Sequence, residues 1–504
     1  MRERSRMVVQ RRVLVLSAQA SGLEHFELPE SQDRLELLKR NVEDLADGMT
    51  LAAIGPLVIA QLALVSGLLA GVHPALLVLP FLALPATWLA RRAEESYGRA
   101  ELHTAADWRT AQHVFDLAVS PESGAEVRVY GLEKELVRRH LAASGSRQRA
   151  TELALLRSVA LRMGSWLLFA VAYAVAVLLV LRQAGRGQAT AGDVALTLGL
   201  AAAVVGAAVT LSGMAGSATR TRITAEHYAW LRAHAAEGTG TAQSPARLAQ
   251  GIVVEDLSFS YPGTGRQVLS DITLRLPAGA VVALVGENGA GKTTLVKLLC
   301  GLYRPSTGRI LLDDTDLANV ASHAYRERLT AVFQDFTRWE LPVRENVGVG
   351  DPERMADTAT VRAALTGAGA GFVAELPKGL ETPLGAGWRG GVELSGGQWQ
   401  KLALARSMMR DHPLLAVYDE PTASLDPSAE RVLFDRITAE AHQGETDGRV
   451  TLLISHRFST VRMADLIVVL KDGRVTECGD HGELMAGEGL YAELYALQAG
   501  AYGE

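Results

Sequence analysis

Val281-Val282-Ala283-Leu284-Val285-Gly286-Glu287-Asn288-Gly289-Ala290-Gly291-Lys292-Thr293-Thr294 is the stretch on which the reading of the fold turns. Its unbroken apolar start reads as a strand buried on both faces, as in a parallel sheet, and Leu295 to Leu299 resume a helical pattern. Strand, glycine-rich loop and helix in that order make the spacing a phosphate cradle rather than a structural turn. Gly286, Gly289 and Gly291, with Asn288 among them, let backbone N–H groups curl round phosphate oxygens without a Cβ in the way. The helix that follows presents its positive N-terminus to the anion. Lys292 is then placed to reach the β- and γ-phosphates, the Thr293 hydroxyl to ligate Mg²⁺, and Thr294 closes the binding stretch.

Around this stretch, short β-rich runs such as Ile252-Val253-Val254 alternate with helical segments, which predicts an α/β domain with a mainly parallel sheet. The apolar run Leu414 to Tyr418 ends in Asp419-Glu420. At the tip of a strand beside the loop's own strand, Asp419 would hold the Mg²⁺ shell. Glu420 is the candidate to orient or deprotonate an attacking water. Paired acids alone would fit an exposed turn equally well.

Leu394-Ser395-Gly396-Gly397-Gln398, upstream of Asp419, resembles the signature motif of the ATP-binding-cassette (ABC) family. Residues 250–490 follow that family's motif order. Tyr261 stands where the adenine-stacking aromatic is found. Gln334 in Val332-Phe333-Gln334-Asp335 matches the Q-loop, Asp426 in Ala423-Ser424-Leu425-Asp426 the D-loop, and His456 in Ile454-Ser455-His456-Arg457 the switch histidine. The resemblance implies an α/β P-loop NTPase domain of ABC type that binds ATP with Mg²⁺. It also implies that two such domains pair head to tail, with Ser395, Gly396, Gly397 and Gln398 of one facing ATP held by the P-loop of the other, and Asp426 among the nucleotide-binding residues. Glu420 would be the general base, His456 the γ-phosphate contact, and Gln334 the sensor of Mg²⁺ and water.

Composition points to a second, different half. The chain has 504 residues, 48% hydrophobic and 21% charged, with a mean hydropathy of +0.12, which suits a mixture of membrane and soluble parts. A net charge of −6 argues against a protein that neutralises nucleic-acid phosphates, and no nucleic-acid partner is expected. The two cysteines, Cys300 and Cys478, have no companions at metal-ligand spacing. Near the N-terminus the apolar run Val13 to Leu16 is shorter than a secretory signal needs. Gly48 to Ala90 holds no Asp, Glu, Lys or Arg over 43 residues, enough to cross a ~30 Å hydrocarbon layer twice with a turn at Gly71-Val72-His73-Pro74. Two further charge-free runs cover Met163–Leu181 and Val194–Thr219.

The expected layout is therefore an α-helical transmembrane domain over 1–240 with four predicted spans (about 49–72, 74–90, 163–181 and 194–219), a linker at 241–250 and the nucleotide-binding domain at 251–504. Residues 1–47 carry eight Lys or Arg and 91–162 carry twelve, against two in 182–193, which places both basic segments and the ATP-binding half on the cytoplasmic side of the cell membrane. The 91–162 stretch reads as helix extensions below the membrane.

A membrane half fused to a cassette is similar to a half-transporter of the exporter type. The resemblance implies a partner half-transporter chain, identical or not, and ATP-driven export of a small molecule, lipid or peptide. Residues 23–34 and about 107–120 resemble the segments round its first and second coupling helices. Family half-transporters have six spans, and the first coupling segment here begins so near Met1 that the first two spans are expected to be missing, through a start placed downstream of the true one or through truncation of the gene. The rival expectation is a membrane-bound ABC ATPase that is truncated or regulatory and does not transport. His73, Trp88, Trp166 and Tyr173 read as interface or packing residues, so the spans do not name a cargo.

Overall fold

The computed structural model describes residues 2–20, 22–78, 81, 88–89, 92, 96, 105–121, 123–236, 240–421, 434–439, 441, 448–455 and 457–502. The chain divides into two compact units, one formed by Met1–Ala18 with Pro29–Ala235, the other by Gln19–Leu28 with Ala236–Glu504.

The first unit is helical. Its long helices are Pro29–Val72, Glu133–Gly185 and Ala191–Ala236, of 44, 53 and 46 residues. At about 1.5 Å per residue each is roughly twice as long as a bilayer's hydrocarbon layer is thick. Pro29–Val72 bends at Asn41 (φ −105°, ψ 17°). Polar contacts gather at one end of these helices: Thr221 Oγ1 donates to Asp44 O at 2.7 Å, and the pair closes so tightly that a Cβ on Gly48 would lie 2.5 Å from Thr221 Cγ2. At the other end the contacts are apolar, with Val65, Leu69, Phe169, Val180 and Val204 buried together. Large apolar side chains also face outward there, including Leu57 (71% exposed), Leu64 (66%) and Leu167 (69%), the reverse of a water-soluble surface.

Two of the described helices, Pro29–Val72 and Ala191–Ala236, are long and apolar enough to cross a membrane, and Phe169–Gly185 is a shorter apolar stretch. The expected turn after residue 71 is present: Pro29–Val72 ends there, and His73 Nδ1 accepts the Ala75 N–H at 3.1 Å to cap the short 3₁₀ turn Pro74–Leu77. Most of the expected span 74–90 lies outside the described residues. The basic stretch after it contains helices Ala105–Val119 and Gly124–Val129.

The second unit is an α/β domain. Its strands are β1 (Gly251–Ser260), β2 (Gln267–Pro277), β3 (Val281–Gly286), β4 (Thr307–Leu312), β5 (Thr315–Asp316), β6 (Leu329–Val332), β7 (Leu415–Asp419), β8 (Val450–Ile454), β9 (Leu466–Lys471) and β10 (Arg474–Gly479). They form an antiparallel sheet ordered β2-β1-β4-β5 and a six-stranded sheet ordered β10-β9-β3-β8-β7-β6. The neighbours from β9 through to β6 run parallel, and β10 alone is antiparallel to its neighbour. Strands β3, β7 and β8 are buried at every position, as their continuous apolar runs require. Alternation along β3 sends Val281, Ala283 and Val285 into a core shared with Trp399 and Leu402, and Val282 and Leu284 into one shared with Leu295, Leu299 and the antiparallel sheet.

Strand order corrects one expectation. Asp419 does not end a strand beside β3, because β8 lies between them, pairing Leu284 and Asp419 with the same Ile454. Residues 240–250 are held against the domain: Ala242 N donates to Asn319 O at 3.0 Å, and a Cβ on Gly240 would sit 2.1 Å from that oxygen.

Candidate nucleotide site

The carboxyl ends of β3, β8, β7 and β6 open on one edge of the sheet, the side where α/β domains of this kind bind ligands. The glycine loop leaves β3 there. Gly286 has φ 152° and a Cβ would lie 2.2 Å from Leu470 O; Gly291 has φ 101° and a Cβ would strike Leu269 Cδ2 at 2.6 Å. Only glycine fits at either position. Asn288 and Gly289 are exposed at the crest, and the helix Lys292–Leu299 starts directly behind them.

Lys292 is buried inside the loop, where its Nζ donates to Gly286 O at 2.7 Å and to Glu287 O at 2.9 Å. Burial lowers its pKa, and the nearby Glu420 and Asp419 carboxylates pull it back up. Thr293 Oγ1 donates to Asp419 Oδ2 at 3.4 Å across the intervening strand. Asp419 is buried, and that burial together with the adjacent Glu420 pushes its pKa up to about 6 against the Thr293 hydrogen bond and Lys292. A desolvated carboxylate beside a threonine hydroxyl is a hard oxygen pair that suits a divalent cation such as Mg²⁺.

Gln334, two residues beyond β6, donates from Nε2 to Glu420 Oε2 at 3.0 Å. Tyr261, just past β1, places its hydroxyl 3.0 Å from Thr294 Oγ1. Tyr261, Lys292, Thr293, Thr294, Gln334, Asp419 and Glu420 are thus linked round one loop.

Ser395 to Gln398 do something different. Ser395 caps the helix Gly396–Ser407: its Oγ accepts the Gln398 N–H at 3.3 Å, and Gln398 Oε1 accepts the Ser395 N–H at 2.9 Å. Gly396 and Gly397 form that helix's first turn, with their N–H groups at its positive end. The hydrogen bonds described for these four residues stay within their own helix, where Ser395 O also accepts the Trp399 N–H at 3.0 Å, and none reaches the glycine loop. Asp426 and His456 lie outside the described residues; next to His456, the buried Ser455 accepts from Arg457 N at 3.0 Å.

Sequence reasoning missed Gln400, whose Nε2 donates to Glu420 O at 3.4 Å and so ties the signature helix to the end of β7. The signal in the sequence is a polar residue set among Trp399, Leu402 and Ala403, which pack into the core; Gln400 itself is 3% exposed.

The family model described as ABC transporter matches residues 269–423. An ATP-dependent lipid A-core flippase of Xylella fastidiosa is 31% identical over 425 residues, covering 84% of this chain and 69% of the relative. The chain belongs to the ABC transporter family. A flippase of the same description from Pseudomonas aeruginosa is 37% identical over 64% of this chain and 52% of its own length. Another, from Chromohalobacter salexigens, is 41% identical over 50% of this chain and 42% of its own length. The chain spans about half the length of such curated relatives. Among solved structures, a bacterial Atm1-family ABC exporter with ATP bound matches with a TM-score of 0.79 at 25% identity, over 99% of this chain and 85% of that one. The architecture is that of an exporter-type ABC half-transporter, a helical transmembrane domain joined to an ABC ATPase domain that binds ATP.

Proposed function

We propose that this chain is one half of an ATP-driven exporter, pairing with a second half-transporter chain and moving an amphipathic lipid-type cargo across the cell membrane. The observation that carries it is the linkage of Lys292, Thr293, Gln334, Asp419 and Glu420 round one glycine loop, on a chain whose helices turn large apolar side chains outward. Residues 1–240 form the transmembrane domain with its spans at about 49–72, 74–90, 163–181 and 194–219, residues 241–250 connect, and 251–504 are the nucleotide-binding domain on the cytoplasmic side. The flippase relatives support the choice of a lipid-type cargo.

The loop N–H groups and the helix end at Lys292 hold the phosphates, and Lys292 leaves the Gly286 and Glu287 carbonyls to take the β- and γ-phosphate oxygens. Tyr261 stacks on the adenine. Thr293, Asp419 and Gln334 would hold Mg²⁺, which supplies charge neutralisation at the phosphates when bound. Glu420 takes the proton of the attacking water, and Gln334, bonded to it at 3.0 Å, keeps its carboxylate aimed. His456 contacts the γ-phosphate. Ser395, Gly396, Gly397 and Gln398 of the partner close over the same triphosphate, and Asp426 lies at the shared seam. The hydroxyl proton of Ser395 is not used in the capping box, which accepts through the oxygen. Closure of the pair then favours one access state of the membrane helices over the other.

The test is reconstitution of the full chain in vesicles containing a fluorescent phospholipid. ATP is expected to speed its movement between leaflets, and the Glu420→Gln chain to leave it at the protein-free rate. ATP hydrolysis with no lipid movement would overturn the lipid-cargo reading.

A further inference from the structure

Segment 19–28 belongs to the same compact unit as the ATPase domain and meets it beside Tyr261. Leu23 N donates to Leu302 O at 3.1 Å, and Glu27 Oε1 lies 3.4 Å from Lys297 Nζ. Lys297 sits on the helix that starts at the glycine loop, with its side chain 25% exposed. Its ammonium is 5.7 Å from the centroid of the Tyr261 ring and 5.7 Å from that of Tyr303, within cation–π range of both. The Tyr261 ring is also held edge-on by Phe259 at 5.0 Å and by Tyr303 at 5.4 Å. Tyr261 is therefore fixed by two aromatic edges, one cation and the Thr294 hydroxyl, and that cation is shared with a carboxylate from segment 19–28.

We propose that Lys297 is a positioning residue for the nucleotide base: held between Glu27 and the Tyr261 and Tyr303 rings, it sets the stance of Tyr261, so that segment 19–28 tunes base affinity without touching nucleotide. This rests on the reading that Tyr261 stacks on adenine. The chemistry is directional. Glu27 keeps the ammonium over the Tyr261 and Tyr303 rings, and loss of either charge removes one of the restraints on Tyr261, weakening contact with a base while leaving the phosphate cradle as it is.

The experiment measures equilibrium affinity of the full chain in detergent for two probes, ATP and inorganic tripolyphosphate, the second lacking a base. Lys297→Met is expected to weaken ATP about two- to fivefold, the worth of one exposed cation–π contact, and to leave tripolyphosphate unchanged. Glu27→Gln shifts ATP in the same direction, and Lys297→Arg restores the original ratio. Tyr261→Ala serves as the reference. If it leaves the ratio of the two affinities unchanged, the base-stacking reading fails. If it lowers the ratio while Lys297→Met does not, the positioning role is overturned; if Lys297→Met lowers it and Glu27→Gln is silent, the link to segment 19–28 is overturned. Equal weakening of both probes by Lys297→Met reduces Lys297 to a support of the glycine loop, and overturns the proposal.

Discussion

Glu420 carries the most constrained geometry in the site. It has φ 48°, its N–H donates to Ile454 O at 3.0 Å, its carbonyl accepts from Gln400, and its carboxylate accepts from Gln334. A left-handed backbone at a non-glycine residue costs about 1–3 kcal/mol and persists only where neighbours over-determine it, as these three bonds do. Glu420→Gln keeps the shape and removes the basicity, so ATP should still bind while turnover falls by about 10²–10⁴-fold. Phosphate release and ATP affinity measured on the same purified variant check this, and undiminished release would take Glu420 out of the role. Gly286→Ala acts on the loop itself, since its methyl meets Leu470 O at 2.2 Å at a φ of 152°. It should cost about 1–3 kcal/mol and abolish ATP binding. A melting temperature and an ATP affinity equal to the parent's would show that the loop can be built with a side chain there.

At the scale of elements, the turn between β4 and β5 holds the entry to β1. Asp313, with φ 51°, accepts from the N–H groups of Ala249, Gln250 and Gly251 at 2.7–3.1 Å. Burial raises its pKa but those three donors outweigh it, leaving the carboxyl below its ordinary value of 3.8. A depressed folded-state value means that the unfolded chain holds more protons near pH 4, so this stabilisation is complete above about 3.8 and is lost as pH falls through the lower folded value. Asp313→Ala should cost about 2–3 kcal/mol at neutral pH, a difference that stays flat from pH 7 to 5 and narrows below 4. Denaturant unfolding of both chains at several pH values measures it; a gap that widens on acidification would contradict the sign. The same scale marks what the sequence could show. The glycine loop, the Asp419-Glu420 pair and the signature motif are legible because each is contiguous, and the apolar length of helices Pro29–Val72 and Ala191–Ala236 because a charge-free run falls within each. The place of β8 between β3 and β7, the Gln400–Glu420 bond and the Glu27–Lys297 pair are not, because parallel strands are joined by long crossovers and these partners are distant in sequence.

At the scale of the whole molecule, the signature residues set the decisive question. Ser395 and Gln398 spend their described hydrogen bonds on capping their own helix, and none on the glycine loop of the same chain. If each ATP site takes its P-loop from one chain and its signature from another, Lys292→Ala and Ser395→Arg disable different halves of the site. Either variant alone pairs with itself and has no intact site. In a mixed pair, one site collects both defects, and the other joins the sound P-loop of the Ser395→Arg chain to the sound signature of the Lys292→Ala chain. Random pairing makes half the dimers mixed with one good site each, so co-reconstituted variants should recover about a quarter of parental hydrolysis if the sites act independently, as closed two-fold pairing dictates. The measurement is ATP hydrolysis of each variant alone and of the two combined before reconstitution, at constant total protein. Recovery in the mixture requires sites shared between chains. With independently acting sites, a mixture no more active than its better component would instead assign each ATP wholly to one chain, and the two-chain clamp proposed for this chain would fall with it.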